Sequence, residues 1–236
     1  METYHLDDIS FEAPNLEVED PPLDMPYEEY EDYRSREILL LNGVEATEEG
    51  VVAALDTQRG PVQAAAAHTA GAAGFHAARS ALHELLSDAD DLVAVEAANA
   101  LHRLGDGEGR RRLIAALDGN PGVDLGPATA AGYLAQLRDG RGAPIIERSQ
   151  ASEIGAVRMT ACKQLYFFAP LHKPPLDVLA MFERALADPN DNIQWQALVQ
   201  LRSLRWEASR PLLTAYVARS PQGYARQVAE EVIASL

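Results

Sequence analysis

Apolar residues recur at three- and four-residue steps over most of the chain, which is the spacing of one face of an amphipathic helix. Paired helical segments of this kind repeat about six times between residues 47 and 236, each pair joined by a short polar turn. Such self-similarity indicates a stack of repeats, so the pattern predicts an all-α, right-handed α-solenoid of about six helical hairpins. Four positions of the second helices align without gaps: Val93, Ala97, Leu101 and Leu104 with Val157, Ala161, Leu165 and Phe168, with Ile193, Ala197, Leu201 and Leu204, and loosely with Ala225, Ala229, Ile233 and Leu236.

Proline, glycine and polar clusters divide the chain into an extension and a repeat domain. The acidic, proline-rich extension covers residues 1–26, where proline density excludes a long helix. We expect it to be partly disordered or docked along the protein's own groove, and its large apolar side chains are candidate anchors. The anchors of this N-terminal arm are Phe11, Leu16, Leu23 and Tyr27. The repeat domain, 27–236, comprises a capping helix at 27–43 and repeats at 47–74, 75–105, 106–140, 141–175, 176–206 and 207–236.

The turns and caps of these units resemble HEAT-like repeats of the short, bilin-lyase type. The resemblance is carried by segments such as LSDADDLVAVEAANALHRLG (86–105) and LADPNDNIQWQAL (186–198). The aspartate that closes each turn can accept hydrogen bonds from the free N–H groups of the next helix. Arg158 matches the basic residue that such repeats place to bond the neighbouring turn. The matched positions are caps and core, so they imply a fold more than a function.

Charge is distributed unevenly along the chain. The formal net charge is −16, and residues 1–37 hold 13 acidic and two basic residues. A chain this acidic argues against nucleic acid and against an anionic membrane surface as partners. There is no run of about 18 apolar residues and no basic leader, which predicts a cytoplasmic protein. The single cysteine, Cys162, aligns with core positions and is expected to be a packed thiol in a reducing compartment.

No arrangement of residues points clearly to catalysis. Deoxyhypusine hydroxylase has a similar fold and builds its iron centre from repeated His-Glu pairs, but here His83-Glu84 is the single such pair. His68, His76, His83 and His102 fall close together in sequence, yet no carboxylate or cysteine completes an expected ligand set. We therefore expect no metal, no cofactor and no enzymatic activity.

The leading functional hypothesis is a non-catalytic protein-binding scaffold that uses the inner groove and the acidic arm. A more specific form of this hypothesis is that the protein is an immunity-type inhibitor of a basic toxin, because its negative charge would steer such a partner. The alternative follows from the resemblance: bilin lyases have similar repeats and would hold a tetrapyrrole in the groove, stacked on aromatic residues such as Tyr133 and Trp195. The candidate partner-binding residues are Glu96, His102, Tyr133, Lys163, Tyr166, Trp195, Arg202 and Trp206.

Overall fold

The computed structural model describes residues 27–171 and 177–236. Within these ranges the chain forms thirteen α-helices, joined by turns and short 3-10 segments, and no β-strand. The helices are α1 Tyr27–Leu41, α2 Glu48–Thr57, α3 Gly60–Ala73, α4 Arg79–Leu85, α5 Asp91–Arg103, α6 Gly107–Ala116, α7 Gly126–Gln136, α8 Ala143–Gln150, α9 Gly155–Phe168, α10 Val178–Leu186, α11 Asp191–Leu204, α12 Arg210–Arg219 and α13 Tyr224–Ser235.

Polar residues at the helix starts satisfy the free backbone N–H groups, as the turn sequences predict. Thr47 caps α2 by accepting from the N–H of Gly50, and Asp90 caps α5 by accepting from Leu92 and Val93. Prolines occupy the first turn of α3, α7, α8 and α12, where a missing N–H is tolerated. These local signals set the boundaries of most hairpins.

The helices pack as a stack of hairpins with two rows. The second helices form the inner row, because α3 contacts α5, α5 contacts α7, α7 contacts α9, α9 contacts α11 and α11 contacts α13. Small side chains allow the closest approaches. A Cβ atom on Gly71 of α3 would lie 2.6 Å from the Cα of Ala100 in α5. The predicted α-solenoid is confirmed.

An inter-repeat bond of the kind predicted for Arg158 is also present. Its Nε and Nη2 donate to the two carboxylate oxygens of Asp188 at 2.7 and 3.1 Å, and Asp188 accepts from the backbone N–H of Asn190. Cys162 is fully buried beside this contact, as expected for a core thiol. Burial raises the pKa of its thiol to about 12.

Helix α1 lies across the inner row. Near its C-terminus, Leu39 is buried in the same core as Val51 and Leu55 of the first hairpin, and α1 contacts α3. At its N-terminus, Tyr27 is buried in the other core cluster, and α1 contacts α11. Fifteen helical residues span about 22 Å, so α1 bridges the first and fifth hairpins over the inner helices.

The other anchors assigned to the N-terminal arm, Phe11, Leu16 and Leu23, lie outside the described residues, as does the whole extension at 1–26. Among the described helices, none is long and apolar enough to cross a membrane.

Candidate functional site

A cavity of about 680 Å³ lies between α1 and the inner helices α3, α5, α7 and α9. Helix α1 contributes acidic residues to its lining, and the basic residues of the lining come from the inner helices. The volume falls within the range of roughly 300–1,000 Å³ that is typical of small-molecule sites. The acidic residues from α1 are Glu29, Glu31 and Asp32, and the basic residues from α5 and α9 are His102, Arg103 and Lys163.

A buried polar network forms one wall of this cavity, centred on His68 of α3. The Nε2 of His68 lies 2.8 Å from Oδ1 of Asp32, and its Nδ1 lies 3.1 Å from Oε2 of Glu96. The hydroxyl of Tyr133 donates to the Glu96 carboxylate at 2.6–2.7 Å. A protonated imidazole donates to both carboxylates at once, so the network is satisfied by a positively charged His68.

The electrostatics of the network agree with this protonation state. Burial acts to lower the pKa of His68, but the hydrogen bonds and charges of Asp32 and Glu96 outweigh it and raise the pKa to about 9. Burial also acts to raise the pKa of Asp32, yet His68 and Arg103 together lower it. Burial and the Glu96 charge raise the pKa of Tyr133 well above its usual value. At neutral pH the site therefore holds an imidazolium between two carboxylates, with a neutral phenol beside them.

The same geometry bears on metal binding. Asp32 and Glu96 contact opposite nitrogens of the imidazole, so the three side chains cannot all bind one ion. No group of three or more His, Cys, Asp or Glu side chains that could hold a metal occurs in residues 27–171 and 177–236. His83, at the surface, pairs instead with Asp106 at 3.0 Å.

Tyr27 closes the other end of the cavity. Its hydroxyl accepts from Nε2 of Gln196 at 3.0 Å, and it lies 3.1 Å from two acceptors, the backbone O of Lys163 and Oε1 of Glu31. Its ring packs against Tyr166 and Phe167, with centroid distances of 4.8 and 5.8 Å. Burial raises the pKa of Tyr27, which stays a neutral phenol. This contact fixes the start of α1 against α9 and α11.

Besides the His68–Asp32 contact, two longer ion pairs join α1 to the inner helices over the cavity. Lys163 Nζ lies 3.6 Å from Oε1 of Glu31, and Arg103 Nη1 lies 3.6 Å from Oδ1 of Asp32. All four side chains are about one-third exposed. The acidic side of α1 therefore faces basic residues that point into the cavity.

The candidate residues from the sequence divide into two groups. Glu96, His102, Tyr133 and Lys163 line the cavity, whereas Tyr166, Trp195, Arg202 and Trp206 do not. Tyr166 packs behind Tyr27, and the Trp195 ring lies 5.3 Å from that of Tyr224. Sequence reasoning did not assign His68 or Asp32 to the site. A histidine within the alanine-rich helix α3 was the one available signal for His68.

Comparison with known proteins shows which fold the chain resembles. No model of a protein family matches the chain, and no curated protein matches it. Among solved structures, the complex of CpcE and CpcF of phycocyanin lyase from Nostoc sp. PCC7120 is similar, with a TM-score of 0.50 and 18% sequence identity. The match covers 95% of this chain and 98% of that chain. At this identity the likeness concerns the fold, and it confirms the resemblance to HEAT-like repeats of the bilin-lyase type.

This comparison corrects the leading functional hypothesis. The similar structure belongs to a lyase, so the expectations of a non-catalytic scaffold, of an immunity-type inhibitor and of no enzymatic activity are contradicted, and the bilin-lyase-like alternative is better supported. The structure supplies a physical reason for rejecting an open partner-binding groove. Glu96 and Tyr133, assigned to an open partner-binding groove, are instead buried beside a cavity that α1 partly covers.

Proposed function

We propose that the chain is a bilin-lyase-like protein that holds an open-chain tetrapyrrole in the cavity beneath α1. The observation that carries the proposal is the cavity itself, about 680 Å³ in volume and formed by the inner helices of a lyase-like solenoid. An open-chain tetrapyrrole is a large, conjugated, mostly apolar molecule with a few polar groups. Sites for such ligands are concave, with apolar walls and a small number of placed polar side chains.

The lining residues suit the different parts of such a ligand. Ala64, Ala65 and Phe167 offer apolar surface to the pyrrole rings. The Glu96 carboxylate lies at the cavity wall, where an acceptor would suit pyrrole N–H groups. Lys163 offers a charge-assisted contact to the carboxylates of the propionate side chains.

A protein partner belongs to the same proposal. The similar structure is a complex of two subunits of a phycocyanin lyase, which favours a protein partner for this chain. The acidic segment 1–37 would attract a partner with a basic surface and speed the encounter.

Titration with biliverdin tests the ligand, with visible absorbance as the readout. We expect saturable binding at one site per chain with a shifted long-wavelength band. Lys163→Gln should weaken binding about five- to tenfold, the loss of one charge-assisted contact. The control Arg184→Gln removes an exposed charge from α10, away from the cavity, and should leave binding unchanged. Absence of saturable binding, or equal effects of both variants, would contradict the ligand assignment.

A second assay tests the lyase activity. The protein is incubated with phycocyanobilin and apo-phycocyanin, and covalent attachment is measured as chromophore fluorescence on a denaturing gel. We expect attachment above the spontaneous level, and a smaller yield with Lys163→Gln. A yield equal to that of the reaction without this protein would exclude lyase activity toward that acceptor.

A further inference from the structure

The two longer ion pairs between α1 and the inner helices, Lys163–Glu31 and Arg103–Asp32, differ in kind from the bonds that hold the repeats together. Lys163 and Arg103 lie 3.6 Å from their carboxylate partners, beyond hydrogen-bond distance, and all four side chains are about one-third exposed. Pairs of this type contribute little to stability and exchange readily with other charges.

The Arg158–Asp188 ion pair, by contrast, has a structural role in the same fold. Its two N–O distances are 2.7 and 3.1 Å, and its side chains are only 18% and 9% exposed. That geometry is bidentate and sheltered, as expected of a pair that fixes two repeats. Lys163 and Arg103 have neither feature, so their charges are available to a ligand that enters the cavity.

Both cations lie in the cavity lining and meet neighbouring residues of one helix. Lys163 extends from α9 to Glu31, and Arg103 extends from α5 to Asp32. Glu31 and Asp32 line the same cavity, so both ion pairs lie at its border. A ligand with two carboxylates would be complementary to these two cations.

We propose that Lys163 and Arg103 form the subsite for the ligand's carboxylates, and that Glu31 and Asp32 are its built-in competitors. This inference rests on the proposed function, since open-chain tetrapyrroles carry two propionates on neighbouring central rings. The incoming carboxylates replace those of α1 as partners of the two cations. Ligand affinity is therefore set partly by the acidic side of α1.

Helix α1 remains docked during this exchange, because other contacts hold it. Asp32 stays within 2.8 Å of Nε2 of His68, and Tyr27 keeps its hydrogen bond from Gln196. Leu39 remains buried in the core of the first hairpin. The carboxylates of the ligand and of α1 therefore compete for the two cations while α1 stays in place.

The test compares Glu31→Gln with Glu37→Gln. Each variant removes one negative charge from α1, but Glu31 faces Lys163 while Glu37 pairs with Arg34 of the same helix. Both are titrated with biliverdin and with biliverdin dimethyl ester, which lacks the free carboxylates. We expect Glu31→Gln to bind biliverdin about two- to fivefold more tightly than wild type, with Glu37→Gln unchanged and no effect on the ester.

The other outcomes identify which statement fails. An equal gain for both variants, or an equal gain for the ester, would show a general charge effect and overturn the competition. Unchanged or weaker binding of biliverdin by a folded Glu31→Gln would overturn it as well, while saturable binding would leave the proposed function standing. Absence of binding by wild type and variants alike would overturn both proposals.

A second variant keeps the test independent of Glu31. Lys163→Gln removes the cation, so its preference for biliverdin over the ester should fall at least twofold relative to wild type. A preference equal to that of wild type would remove Lys163 from the subsite. Circular dichroism at 222 nm confirms the fold of each variant before titration.

Discussion

Replacing His68 by glutamine should remove a pH-dependent part of the stability. In the fold the imidazolium lies between Asp32 and Glu96 and is buried, whereas in the unfolded chain it is in water. The folded pKa of about 9 lies above the unfolded value of 6.5. A group with a raised folded pKa stabilises the fold fully below its unfolded pKa and loses that contribution as the pH rises through its folded pKa.

The magnitude follows from these two values. A pKa of about 9 against 6.5 corresponds to about 3 kcal/mol of unfolding free energy, present at pH 6 and absent above about pH 10. Partial exposure of Asp32 screens one of the two contacts, so we expect about 2–3 kcal/mol. The pKa values of Tyr27 and Tyr133 are raised, and both phenols therefore stay neutral over this range.

Urea denaturation followed by circular dichroism at constant ionic strength measures the effect between pH 6 and pH 10. Wild type should be more stable than His68→Gln by about 2–3 kcal/mol at pH 6, and the gap should close toward pH 10. His83→Gln is the matched control, since His83 pairs with Asp106 at the surface and its loss should lower the free energy of unfolding by less than about 1 kcal/mol. A gap that stays constant with pH, or that widens as the pH rises, would refute the assignment of a charged His68.

Three further predictions concern packing and the core. Tyr27→Phe leaves the buried amide of Gln196 without its acceptor and should lower the free energy of unfolding by about 1–2 kcal/mol in urea titration; an unchanged value would argue against the docking of α1. Gly71→Ala should lower the free energy of unfolding by about 1–3 kcal/mol in the same assay, because its Cβ would meet Ala100. Gly107 lies in open space, so Gly107→Ala should be neutral or slightly stabilising. Equal effects of the two variants would contradict the close approach of α3 to α5. Cys162 should react with a disulfide thiol reagent only after unfolding, since it is buried and its pKa is raised to about 12; fast labelling of the native protein would show an open core.

The solenoid could be predicted from the sequence because local and repeated signals determine it. Aligned apolar positions such as Val93, Val157 and Ile193 define one face of each inner helix, and all three are buried. Turn residues such as Asp90 mark where the helices begin. Each signal depends on neighbours within one or two turns of chain, so a single sequence contains it.

The site could be predicted only in part, because it depends on contacts between distant segments. Glu96, His102, Tyr133 and Lys163 follow from their positions on the inner helices. The association of Asp32 with His68 and Arg103 depends on how α1 crosses the stack. That crossing depends on how the hairpins stack and on the hydrogen bonds of Tyr27 to α9 and α11, which no local pattern encodes. The functional hypothesis failed for the same reason, since an open groove was assumed where α1 partly covers a cavity.

Hydrogen–deuterium exchange with and without biliverdin tests most directly whether the cavity beneath α1 is where this protein acts. We expect added ligand to slow exchange in the peptides that cover α1, α5 and α9, which border the cavity, and to leave α12 and α13 unchanged. Protection confined to α12 and α13, where a second cavity of about 570 Å³ lies, would place the ligand elsewhere and contradict it.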